Sequence, residues 1–141
     1  MTPVERPPAG PRMMGHRQWV LSYEARPWTA NAQRRQHWAQ TSKLIAEWRQ
    51  AFYGLALEAK VPHLERVAIT AVQVCATRRS VPDTGAMFGA VKAAIDGCVD
   101  ARVLPDDSPD HVSSITFRAP VVAGRDCMVL TIVECAREAV A

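Results

Sequence analysis

The chain has 141 residues, of which 48% are hydrophobic and 22% are charged, a composition typical of one soluble globular domain with a sizeable core. No apolar run reaches the roughly 18 residues that a membrane span needs. The first residues lack the apolar core of a signal peptide, so we expect a cytoplasmic protein. The net charge of +3 is a mild bias, and it does not by itself indicate a nucleic-acid partner.

Basic residues and cysteines narrow the class of protein further. Only three of the 17 basic residues are lysines. Arginine favours bidentate phosphate contacts, although a GC-rich genome also raises arginine and is the simpler explanation. The cysteines lack CxxC spacing, and the histidines are scattered as well, so a zinc site is not expected. We expect buried, reduced thiols at Cys75, Cys98, Cys127 and Cys135.

The first half of the chain predicts a tail, a strand and a long helix. Residues 1–16 are rich in proline and glycine and predict a disordered tail. Residues 17–25 alternate apolar and polar positions, which predicts a strand. Residues 33–60 predict one helix, whose apolar stripe places both of its tryptophans in the core. That stripe contains Trp38, Thr41, Ile45, Trp48, Phe52, Leu55 and Ala59.

The second half predicts a central strand, a helix and a hairpin. Residues 64–77 are apolar on both faces, as in a central strand. Residues 85–101 predict a helix, and the short connection between strands 111–119 and 126–136 predicts an antiparallel hairpin. The buried face of that helix is expected to contain Met87, Val91, Ala94, Ile95 and Cys98.

The order of elements, β-α-β-α-β-β, predicts an α+β fold in residues 17–137, followed by a short tail at 138–141. We expect a two-layer sandwich in which two helices pack against a four-stranded mixed sheet. An uncovered sheet face or edge would need a partner, which favours a homodimer.

Acidic turns lie on both sides of the second helix. Asp83 follows a proline just before the helix, and Asp106 and Asp107 lie between two prolines after it. Adjacent carboxylates repel unless a cation neutralises them, and Mg²⁺ is the usual cation at such oxygen sites. The alternatives are a helix N-cap for Asp83 and an ordinary turn for the later pair.

One lysine lies on the helix between these turns. Lys92, Asp96 and Asp100 recur every four residues. Lys92 could stabilise charge that develops on a phosphate, or it could form a surface ion pair with Asp96. Arg78 and Arg79 precede the first acidic turn and could hold neighbouring phosphates.

These motifs resemble the RusA-like Holliday junction resolvases, the crossover junction endodeoxyribonucleases of bacteria and their phages. The resemblance covers roughly residues 18–135. Its first part is a proline followed four residues later by asparagine, here Pro27 and Asn31, and then a helix that bears Arg34 and Arg35. Its most specific part runs from the KAAIDG sequence at residues 92–97 to the LPDD turn at 104–107.

The resemblance implies a homodimer that binds four-way DNA junctions and cuts them with Mg²⁺ or Mn²⁺. It assigns metal ligation to Asp83, Asp107 and the neighbouring Asp106, and phosphate or water positioning to Lys92. It also implies a bacterial, phage or prophage setting. The residues expected to contact DNA are Asn31, Arg34, Arg35, Arg78 and Arg79.

The chain departs from the family motif Asp-x-Asp-Asn-Leu. The second aspartate falls on Gly85 and the asparagine falls on Ala86. Lys92 also lies a few residues further from Asp83 than in the commonest form of the motif. Two functions therefore stay open: a weakened or altered nuclease, or a protein that binds junctions without cutting them.

Overall fold

The computed structural model describes residues 16–136, so residues 1–15 of the predicted N-terminal tail and the whole of the predicted C-terminal tail lie outside it. Its strands are β1 (Gln18–Tyr23), β2 (Val67–Cys75), β3 (Val112–Phe117), β4 (Val121–Val122) and β5 (Cys127–Glu134). Its helices are α1 (Ala30–Arg35), α2 (Trp38–Glu58) and α3 (Phe88–Asp100), with a short 3-10 turn at Arg78–Ser80. None of these helices combines the length and the apolar character needed to cross a bilayer.

The strands form one mixed sheet in the order β1-β5-β2-β3, and β4 also pairs with β2. β5 is antiparallel to both β1 and β2, whereas β3 and β4 are parallel to β2. The predicted α+β class, the mixed sheet and the central position of β2 are confirmed. The sheet has a fifth strand of only two residues, and α1 is a helix additional to the two predicted.

The predicted hairpin between the last two long strands is wrong. Ile69 of β2 pairs with Ile115 of β3 on one side and with Ile132 of β5 on the other, so β2 separates the two strands. The connection runs past the end of β2 instead of turning back beside β3. It is held there by the Asp126 side chain, which accepts a hydrogen bond of 3.1 Å from the backbone N–H of Ala76.

A break divides the predicted long helix. Gln36 and His37 have extended backbone, with ψ angles of 148° and 140°, and His37 Nδ1 accepts a hydrogen bond from the Ala39 N–H. The break places Trp38 at the exposed start of α2. The prediction of a core position is therefore right for Trp48, which is 1% exposed, and wrong for Trp38, which is 73% exposed.

The core lies between the helices and one face of the sheet. Trp48 of α2 packs edge-on against Tyr23 of β1, with ring centroids 4.9 Å apart. All five residues predicted for the buried face of α3 are buried. Of the four cysteines, three are buried and Cys135 is half-buried, and all are free thiols. Burial raises the pKa of Cys98 to about 12.

The backbones of α2 and α3 approach closely at Gly97. A Cβ atom at this position would lie 2.2 Å from the backbone oxygen of Arg49, so no side chain fits without moving one helix. One turn away, the Arg49 guanidinium donates two hydrogen bonds to Asp100, of 2.5 and 2.8 Å. These bonds lower the pKa of the Asp100 carboxyl. Both contacts fix the position of α3, the helix that carries Lys92.

Replacing Gly97 with alanine should lower the free energy of unfolding by about 1–3 kcal/mol, because the added methyl group overpacks the helix contact. Gly54 of α2 is a matched control, since a Cβ there meets nothing within 4 Å. Gly54→Ala should raise stability by about 0.5–1 kcal/mol. Urea denaturation of both variants measures the difference, and equal effects of the two substitutions would contradict the close contact.

Candidate functional site

Lys92 lies between two carboxylates. Its ammonium contacts Asp96, one helical turn further along α3, at 3.0 Å. It also contacts Asp107, which lies in the turn after α3. The lysine and the second acidic turn, which the sequence analysis placed together, are therefore in direct contact. The alternative of an ion pair with Asp96 is present at the same time.

The two adjacent aspartates of this turn face different partners. The Asp106 carboxylate accepts a hydrogen bond of 2.8 Å from the Ser108 N–H within its own turn. Hydrogen bonds from the side chain and backbone of Ser108 lower the pKa of Asp106. Asp107 is directed to Lys92 instead. The rigid turn thus presents one carboxylate to the candidate site and uses the other for its own structure.

Asp83 lies outside this group of contacts. Its side chain is exposed and makes no hydrogen bond or ion pair with any residue between 16 and 136. The alternative of an N-cap is wrong, because the N-cap of α3 is Met87, which makes no side-chain capping bond. The Asp83 backbone oxygen accepts a hydrogen bond from the Ala86 N–H at 3.0 Å and closes a turn before the helix.

The two positions that depart from the family motif lie in this turn. Gly85 has a φ of +83°, a left-handed conformation that glycine adopts far more readily than aspartate. A Cβ at Gly85 would meet nothing within 4 Å, so the obstacle to a side chain is the backbone conformation and not space. Ala86 accepts a backbone hydrogen bond from the Ala30 N–H at 2.8 Å. An aspartate at position 85 would therefore be strained by the backbone conformation of this turn, although space is free for its side chain.

The predicted metal ligands do not assemble into one cluster. Over residues 16–136 there is no group of three or more His, Cys, Asp or Glu side chains that could hold a metal ion. The pair that Lys92 joins is Asp96 and Asp107. Two carboxylates do suit Mg²⁺, which takes few protein oxygens and keeps several waters. A metal at this pair would compete with the Lys92 ammonium.

The predicted DNA-contacting residues lie on two linked segments. Asn31, Arg34 and Arg35 are exposed on α1, and Arg78 and Arg79 are exposed on the 3-10 turn. Two hydrogen bonds connect the chain around these segments. The Arg26 side chain, before α1, donates to the Ser80 backbone oxygen of the 3-10 turn at 3.0 Å, and the Ala30 N–H of α1 donates to the backbone oxygen of Ala86 in the turn before α3. The structure thus brings the two basic groups to neighbouring elements beside the first acidic turn.

Exposed aromatic residues near these segments were missed by the sequence analysis. Trp38 is 73% exposed at the start of α2, and Phe88 is 54% exposed at the start of α3. Phe88 also lines an open depression together with Ala30 and Arg34. Apolar periodicity assigns such residues to the core, and only the ends of the helices, once known, place them at the surface.

Replacing Lys92 with methionine should strengthen binding of Mn²⁺ to the free protein. The substitution removes the cation that neutralises two carboxylates, which then repel each other unless a metal ion lies between them. An exposed ion pair is worth up to about 1 kcal/mol, so we expect the dissociation constant from calorimetric titration to fall about fivefold.

Lys43→Met is the control, because this exposed lysine contacts no carboxylate within the described part of the chain. The gain should disappear when Asp107→Asn is combined with Lys92→Met. An unchanged affinity in Lys92→Met would show that this carboxylate pair is not where the metal binds.

No family model and no curated protein sequence matches this chain. The contacts of Lys92 and the exposed basic segments are therefore the features of the chain that bear most directly on its function.

Proposed function

We propose that the protein is a metal-dependent, structure-specific endonuclease that resolves four-way DNA junctions by hydrolysing phosphodiester bonds. The observation that carries the proposal is the contact of Lys92 with both Asp96 and Asp107. This contact joins the two ends of the most specific part of the resemblance to the RusA-like resolvases, the KAAIDG sequence and the LPDD turn. The exposed arginines on α1 and on the 3-10 turn support a phosphate-bearing substrate.

Lys92 is the group that we expect to act on the scissile phosphate. Its side chain is 44% exposed, so the ammonium can reach a phosphate oxygen while Asp96 holds it from the same helix. There it would stabilise the negative charge that develops in the transition state. Asp107 and Asp96, the pair that Lys92 joins, are the first candidate ligands for Mg²⁺ or Mn²⁺, with Asp83 and Asp106 as further candidates. When bound, the metal would supply an activated water.

The basic segments would hold the DNA around this point. Arg78 and Arg79 lie on the chain just before the first acidic turn, and Arg34 and Arg35 lie on α1 beside it. Arginine contacts to phosphate fix the position of a duplex without reading its sequence. Asn31, in the first turn of α1, is a further candidate contact.

The decisive experiment is cleavage of a labelled four-way junction in the presence of Mg²⁺ or Mn²⁺. Wild type should nick the junction, and Asp107→Asn and Lys92→Ala should each lower the rate by about 10²–10³, as loss of one group that stabilises a transition state does. Glu58→Gln, at the exposed end of α2, should cleave like wild type. Junction binding without any nicking by wild type would refute the nuclease.

A second candidate is a protein that binds junctions but does not cut them. It is favoured by the left-handed backbone at Gly85 and by the absence, in residues 16–136, of a group of three metal-binding side chains. In that case junction affinity should be unchanged or higher in Asp107→Asn, because a negative charge near phosphate is removed. The same labelled junction measures this in a gel-shift assay.

We further propose that two copies of the chain associate through the sheet. Val20, which is 56% exposed, pairs in register with Thr131, then Thr70, then Thr116 across all four long strands. This row lies on the face opposite the core cluster, and none of its members belongs to that cluster. The row is uncharged and β-branched, which suits a dry contact with a second sheet.

Gel filtration at micromolar concentration should give a dimer, and Val20→Lys should shift it towards the monomer, because a charge would be placed in the proposed contact. Leu57→Lys is the control. Leu57 is similarly exposed, at 51%, but lies on α2, on the helical side of the sheet. A monomeric wild-type protein would contradict the dimer.

A further inference from the structure

The most exposed large apolar side chain in the described part of the molecule is Trp38, at 73%. It is the first residue of α2, directly after the helix break. Its nearest aromatic neighbour is the ring of His37, at 5.7 Å between centroids. A tryptophan exposed to this extent contributes little to the core, so folding gives no reason for it.

The sequence around Trp38 is basic. From residue 25 to residue 46 the sequence contains no aspartate or glutamate, and it contains Arg26, Arg34, Arg35 and Lys43. Those four cations exceed the net charge of +3 of the whole chain. All four are exposed. The positive charge is thus concentrated on the segment that presents the tryptophan.

The residues beside the tryptophan combine aliphatic surface with amides and a cation. Gln36 and Gln40, two positions before and after it, line an open depression at the start of α2 together with Lys43 and Leu44, and the exposed surface of this depression is mainly aliphatic. None of the residues that line it is acidic. An exposed ring beside cations, on a segment without acids, matches the combination that binds single-stranded nucleic acid, an aromatic stacking surface beside a positive groove.

We infer that Trp38 is a stacking platform for an unpaired DNA base, and that Arg34, Arg35 and Lys43 hold the phosphates of the same strand. The inference rests on the proposed DNA substrate, and it adds that this surface binds the unpaired part of that DNA. A base inside a duplex is stacked on its neighbours and cannot cover the indole ring. An unpaired base, in a single strand or at the centre of a junction, can do so at little cost.

The position of α1 connects this surface to the candidate site. α1 is joined to the turn before α3 by the backbone hydrogen bond between Ala30 and Ala86. Gln33 of α1 lies against Gly89 at the start of α3. Trp38 follows α1 after only two residues. α1 therefore links the start of α3, the helix that carries Lys92, to the segment that presents the tryptophan.

The test is a binding titration without metal, followed by the anisotropy of a labelled single-stranded oligonucleotide and of the duplex with the same sequence. Trp38→Ala should weaken single-strand binding about 5- to 150-fold, as loss of one stacked base does, and change duplex binding less than about twofold. Trp38→Phe should restore most of the affinity. Tyr53→Ala is the matched control, an aromatic 41% exposed on the same helix and outside the basic segment.

The salt dependence of binding distinguishes the contribution of the Trp38 ring from that of the basic side chains. Removal of Arg34 or Arg35 should reduce the slope of log affinity against log salt by about 0.7 per residue for a single strand. Trp38→Ala should lower the affinity and leave the slope unchanged, since the indole carries no charge. A Trp38→Ala protein that binds the single strand like Tyr53→Ala, or that loses duplex and single-strand binding equally, would overturn the inference.

The outcome is independent of the cleavage assay. A wild-type protein that binds the single strand through Trp38 but never nicks a junction supports the stacking platform and refutes the nuclease. A Trp38→Ala protein that binds and cleaves like wild type refutes only the platform. Circular dichroism and urea unfolding of each variant ensure that differences in binding are compared between folded proteins.

Discussion

The contact between α2 and α3 at Gly97 determines how the rest of the site is presented. A Cβ at Gly97 would lie 2.2 Å from the Arg49 backbone oxygen, so glycine allows the two helices to approach closely here. The close approach brings Asp100 to Arg49, while Asp96 contacts Lys92 one turn earlier on the same helix. Asp96 and Gly97 are adjacent in the sequence but have separate roles, one in the candidate site and one in helix packing.

Stability does not explain the surroundings of Lys92. Its side chain and those of Asp96 and Asp107 are 44%, 30% and 39% exposed, and ion pairs at that exposure contribute about 0–1 kcal/mol each. The fold gains little from placing one ammonium between two carboxylates on different segments. The arrangement instead keeps a cation and two anions together at the surface, where a phosphate or a metal ion can exchange with either partner.

The spacing of apolar residues predicted the elements that are buried along one whole face or on both faces. It missed the features that depend on a single contact between residues distant in the sequence. The buried face of α3 and the central position of β2 follow from apolar spacing. The break before Trp38 contains neither glycine nor proline, so no local signal marked it. The short connection between the last two long strands suggested a hairpin, but the hydrogen bond from the Ala76 N–H to the Asp126 side chain holds the connection past the end of β2. Only the folded sheet brings those two residues together.

The contact of Lys92 with Asp107 could be predicted from the sequence, but the separation of Asp83 from this pair could not. Lys92 and Asp107 lie at the ends of a short rigid segment, so their meeting requires little more than one helix and one turn. A cluster that includes Asp83 depends on the turn before α3, and Gly85 gives that turn a left-handed backbone. The direction of the Asp83 carboxylate depends on this backbone, which the sequence motif does not specify.

The turn at Gly85 and Ala86 has a structural role that does not depend on metal binding. Ala86 accepts the hydrogen bond from Ala30, so this turn supports the start of α1 and, through α1, the segment that presents Trp38. The conformation that positions the basic surface therefore needs no acidic side chain at position 85. In the proposed function, holding DNA depends on α1 and the start of α2, whereas cutting depends on Lys92 and Asp107. Because these two sets of residues lie on different elements, a substitution that abolishes cutting need not abolish binding.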